Sequence, residues 1–167
     1  MSNECNCDKC AKACTVKPGW FTPDQIKPLA KALKLSQVEL FRRHLQIDWW
    51  NDSPDVFVLS PKLVGEKGGT MFPGEPSGTC HWFKDGKCAI HSLGKPAECA
   101  FYHHTTERAS TLENHEKTAD AWRTPEHQEL IRTLYGAEPE SEPYFGHGGL
   151  FGSLFGSIFG SGFAAED

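Results

Sequence analysis

The chain has 167 residues, 38% of them hydrophobic, with a formal charge of -5 and a pI near 5.9. That length accommodates one domain with a tail, and the acidic balance gives no electrostatic ground for nucleic-acid binding. The modest apolar fraction suits a domain held together in part by a metal.

Residues 5–14 read as a cysteine-rich loop or short helical turn. Thr22-Pro23-Asp24-Gln25 then reads as a helix start: Thr22 caps, Pro23 suits the first helical position and Gln25 completes a capping box. Ile26, Leu29, Ala30 and Leu33 follow at helical spacing. Ser36-Gln37-Val38-Glu39 is a second capping box, and Leu40, Phe41 and Leu45 carry its helix to about His44–Ile47. A helical hairpin over about 23–47 is the expected result. Val56-Phe57-Val58-Leu59 reads as a strand ending before Pro61. Residues 65–78 hold five glycines and two prolines and read as a loop. Asp85-Gly86, flanked by His81-Trp82-Phe83 and Cys88-Ala89-Ile90, predicts a β-hairpin. Pro96 opens a short helical turn carrying Cys99. Glu107 to Trp122 is a polar helix with a thin apolar face. Thr124-Pro125-Glu126 starts a last helix, with Leu130, Ile131 and Leu134 on one side and Gly136 as its stop. The fold class expected is α+β: a small, mostly helical domain with a short hairpin, closed by a cysteine-ligated metal site. It spans 1–136, followed by an acidic, proline-bearing linker over 137–147 and a low-complexity tail over 148–167.

The chemistry lies in seven cysteines in two clusters: Cys5, Cys7, Cys10 and Cys14, then Cys80, Cys88 and Cys99. Thiols so spaced converge on a metal, a cluster or disulfides. Met1-Ser2-Asn3-Glu4 offers neither the basic nor the apolar region of a secretory signal, so a reducing cytoplasmic setting is expected. The odd cysteine count also argues against a complete disulfide framework. Cys7-x2-Cys10 lets two thiolates grip one ion from a single turn, and Cys14 stands within reach of the same site. Cys80, Cys88 and Cys99 add ligands from a distant segment, so metal binding would cross-link the fold.

The string Cys7-Asp8-Lys9-Cys10-Ala11-Lys12-Ala13-Cys14, with Thr22-Pro23-Asp24-Gln25-Ile26 after it, resembles the opening of the YkgJ-like cysteine-cluster family. The second half of that signature is matched by Cys80-His81-Trp82-Phe83-Lys84-Asp85-Gly86-Lys87-Cys88-Ala89-Ile90 and by Lys95-Pro96-Ala97-Glu98-Cys99-Ala100-Phe101. The resemblance covers about residues 5–105 and implies a zinc- or iron-chelating domain. It carries over Cys7, Cys10, Cys14, Cys80, Cys88 and Cys99 as ligands. The family's double cysteine is Ala13-Cys14 here and its Arg-Pro is Lys95-Pro96; Cys5 is an additional upstream thiol that could replace the missing one.

Six or seven thiols exceed the four that one zinc takes and fall short of two all-thiolate zinc sites. His81, His91, His103 and His104 lie close enough in sequence to help, although a surface turn is the plainer reading of His103-His104. The uneven spacing favours an iron–sulfur cluster over the paired knuckles of a zinc module. His115 and His127, on polar helices remote from any cysteine in sequence, read as solvated. Trp49-Trp50 and Trp82 read as core packing or as a shield for the metal site.

The tail repeats an apolar-Phe-Gly-Ser unit three times, at Leu150, Leu154 and Ile158. Its glycines and serines favour disorder, while its phenylalanines keep a protein partner or a membrane interface in play. The function expected is metal or iron–sulfur binding in a redox, metal-handling or maturation role. The alternatives are a metal- or cluster-dependent enzyme of protein or peptide modification, and a structural zinc domain presenting the tail to a partner.

Overall fold

The computed structural model describes residues 7–50, 56–74 and 76–137. Cys5, the linker beyond Ala137 and the Phe-Gly-Ser tail lie outside the described residues. The described chain is α+β. Its elements are α1 (Asp8–Ala13), α2 (Pro23–Ala32), α3 (Gln37–His44), β1 (Leu45–Trp50), β2 (Val56–Pro61), β3 (Thr70–Met71), β4 (Phe83–Lys84), β5 (Lys87–Cys88), α4 (His91–Gly94), α5 (Ala97–Phe101), α6 (Arg108–Trp122) and α7 (Pro125–Gly136). Among the described residues, no helix is long and apolar enough to cross a membrane.

The helix starts follow the caps. Ser36 Oγ accepts from Glu39 N at 3.1 Å, and Glu39 Oε2 accepts from Ser36 N at 2.9 Å, closing the box at α3. Thr124 Oγ1 accepts from His127 N at the start of α7. Gln25 does more than serve α2. Its Oε1 accepts from both Thr22 N and Ala97 N at 3.0 Å, and its Nε2 donates to Lys95 O at 3.1 Å. One amide thus pins the first turn of α2 to the first turn of α5.

The second helix stops earlier than its pattern suggests. Residues from Leu45 leave α3 and form β1, which pairs antiparallel with β2 from Leu45↔Pro61 to Trp50↔Val56; β3 lies parallel on its other side. Leu45 fits both the helical spacing from Phe41 and a strand that alternates with Ile47, and the long partner strand decides between them. Residues 65–78 are accordingly not loop throughout, since Thr70 and Met71 add the third strand. The second sheet is the expected hairpin of β4 and β5. Asp85 and Gly86 carry φ of 51° and 74°, the left-handed pair that a tight two-residue turn requires.

Trp20, Phe21, Ile26, Leu29, Leu40, Phe41, Ile47, Leu59, Trp122 and Ile131 fill one core between the helices and the sheet. α6 touches it through Thr118, Ala119 and Trp122, a face as thin as its sequence suggests. Asp48 is buried there, 2% exposed, where its Oδ2 accepts from Trp20 Nε1 at 2.6 Å and its Oδ1 from Trp49 N at 2.8 Å. Burial raises this carboxyl above its ordinary 3.8, against the hydrogen bond from Trp20 that lowers it. A raised folded pKa means a contribution present below the unfolded value and lost as pH climbs through the folded one. Asp48→Asn should therefore gain on the wild type in stability as pH goes from about 4 to about 7. Paired denaturant titrations test this, and a difference independent of pH would contradict it.

Candidate metal centre

The described thiols fall into two groups, and helix α1 connects them. Cys7 is its N-cap, with Sγ accepting from Cys10 N at 3.5 Å, and Cys14 is its C-cap. Spacings of three and four residues put Cys7, Cys10 and Cys14 along one helical stripe.

At the outer end of the stripe, His104 Nδ1 stands 3.3 Å from Cys7 Sγ and 3.4 Å from Cys10 Sγ. These three ligand atoms all lie within 4.8 Å of one another, close enough to hold a metal ion; no other group of three among the described residues does so. Thiolate and imidazole on one tetrahedral zinc, at about 2.3 and about 2.05 Å, stand about 3.6 Å apart. The observed separations are close to that value. His104 comes from the turn between α5 and α6, and its neighbour His103 is turned to other work: its Nδ1 lies 2.7 Å from Thr105 Oγ1.

At the inner end, Cys14, Cys80, Cys88 and Cys99 gather from four segments and line one cavity of about 790 Å³, which Cys10 of the outer group also borders. Backbone bonds bring them there. Cys80 N donates to Cys14 O at 2.8 Å and Gly78 N to Val16 O at 2.7 Å, so the chain after α1 runs beside the strand-like segment that opens the hairpin. Cys88 sits in β5 opposite Phe83. Cys99 rides on α5, which packs so tightly on Gly19 that a Cβ there would lie 2.8 Å from Glu98 Cβ and 2.9 Å from Cys99 Sγ.

Burial raises all four thiols. Cys80 is pushed up to about 11, burial leading and the neighbouring Cys88 and Cys14 adding to it. Cys99 is raised further still, mainly by burial, with Cys14 and Cys80 again adding. Lys95 opposes the shift at Cys14 and Cys88, and Lys9, Lys12, Lys17 and Lys87 also line the cavity. Metal entering this group must displace the thiol protons, and the lysines offset the charge that then develops.

The other histidines divide differently from their sequence positions. His81 stacks on His44, with His44 Nδ1 3.2 Å from His81 Nε2, and burial lowers it to about 4. His91 Nε2 lies 3.2 Å from Lys95 Nζ on the cavity wall. His115 is not the solvated residue its polar helix suggests. It is half-buried, stacked on Trp20 at 3.6 Å between ring centroids, and paired with Glu98, whose Oε2 accepts from Trp20 N at 2.8 Å. His127 is half-buried too, its Nδ1 2.7 Å from Ala121 O. Trp82 is 5% exposed and lines the thiol cavity, joining core to site. Cys5 lies outside the described residues. The chain matches no protein-family model, no curated protein and no solved structure at a significant level.

Proposed function

We propose that this chain is a metal-chelating cysteine-cluster protein, of the kind its YkgJ-like signature suggests, serving a redox, metal-handling or maturation role. The observation that carries the reading is Cys7, Cys10 and His104 at the separations of ligands on one ion. The inner thiols support it: four sulfurs from four segments share one cavity, with lysines around them. No three of these four fall within 4.8 Å of one another, whereas thiolates on a single zinc stand about 3.8 Å apart. A cluster of several iron atoms holds its thiolates wider, so iron–sulfur is the favoured occupant there.

Anaerobic purification followed by absorption spectroscopy and assays for iron, zinc and acid-labile sulfide tests this. A brown protein with iron and sulfide in stoichiometric amount is expected. A colourless protein with stoichiometric zinc would keep the chelating function and discard the cluster; a protein with neither metal would overturn the reading.

A second reading, a metal- or cluster-dependent enzyme, has one observation in its favour. The thiol cavity has space for a small substrate and is also lined by His115 and Glu98, a paired acid and base.

A further inference from the structure

We infer that the thiols form two centres rather than one: an outer, exchangeable site for a zinc-type divalent cation at Cys7, Cys10 and His104, and the inner four-thiol centre. The inference rests on the chelating function proposed above. Three observations separate the centres. Cys14, the inner thiol on the same helix, is not among the ligand atoms that meet within 4.8 Å at the outer site. The donor sets also differ in chemistry. Two thiolates with one imidazole suit a borderline ion such as zinc, while four thiolates suit zinc and iron–sulfur alike. The surroundings differ as well. His104 is exposed, whereas Cys80 is buried in the core and Cys99 packs against Gly19.

Exposure makes the outer ion the one a solution chelator or an acceptor protein reaches first. The outer site also depends on the turn after α5, because His104 follows Cys99 by five residues in sequence. One short segment therefore supplies a ligand to each centre.

Cobalt(II) and zinc(II) are the probes, titrated into the full chain under anaerobic conditions, with bound metal counted and a chromophoric chelator used to follow release. The wild type should release metal in two phases, the faster of one equivalent. His104→Ala should lose that equivalent and the fast phase, and keep the absorption of the inner centre. Cys88→Ser should do the reverse, losing the inner absorption and keeping the fast phase. If His104→Ala retains the wild-type metal content and both phases, or loses the inner absorption together with the fast phase, the two-centre inference fails while chelation stands. A wild type that carries neither iron nor zinc as purified and takes up neither probe overturns both.

Discussion

Replacing Cys99 with alanine should leave the metal-free protein about as stable as the metal-free wild type and make the metal-loaded protein far less stable than its wild-type counterpart. The asymmetry follows from what the residue does. Removing one buried sulfur atom leaves a small void worth about 1 kcal/mol. On the chelating function proposed above, removing it also takes away a ligand that would tie α5 to the N-terminal segment and the hairpin. A ligand bound only by the folded state, at about a thousand times its dissociation constant, adds about 4 kcal/mol. Loss of that linkage is the larger effect by a factor of about four. Denaturant melts of both chains, with and without metal, read the two differences directly. Equal stability of loaded and metal-free wild type would remove the premise that metal closes this fold. Equal loss in both states would assign Cys99 a packing role alone.

Much of the frame is legible in the residues because the signals are local. Ser36 with Glu39 starts a helix by satisfying its own amides, and Asp85-Gly86 makes a hairpin because both residues accept a left-handed backbone. The cysteine pattern likewise points to a convergent thiol site before any fold is known. What stays hidden is what distance in the chain conceals. His104 is a candidate ligand by its nearness to Cys99, but its actual partner Cys7 lies 97 residues away, and nothing in the spacing of either reveals that meeting. His115 reads as solvated on a polar helix, because Trp20 and Glu98, which enclose it, belong to other segments. The strand from Leu45 to Trp50 is masked by a spacing that also continues the helix, and only its pairing with Val56–Pro61 resolves the two periods. The division of the thiols has the same origin: the residues supply the ligand types, and His104, arriving from the turn after α5, gathers Cys7 and Cys10 and leaves out Cys14.

Trp122→Ala should cost about 3 to 5 kcal/mol and leave the metal-free chain at the edge of unfolding. Trp122 is fully buried, and its Nε1 donates to Phe21 O at 2.7 Å. Phe21 N in turn donates to Leu59 O at 2.9 Å, so this indole fixes the segment from Pro18 to Phe21 between α6 and the sheet. Gly19, in that segment, is the surface on which Cys99 rests. The truncation therefore opens a cavity, leaves a buried carbonyl without its donor and loosens the floor of the inner thiol group. Trp122→Phe separates these effects: it keeps most of the bulk and loses the N–H, for about 1 to 3 kcal/mol. If metal binds only the folded chain, as the proposed chelating function requires, loading should refold Trp122→Ala and raise its melting temperature more visibly than that of the wild type. Calorimetry of the three chains, metal-free and loaded, provides the comparison. A metal-free Trp122→Ala within 1 kcal/mol of the wild type would show that the indole contributes no more than surface contact, and the mechanical link from α6 to Cys99 would then be wrong.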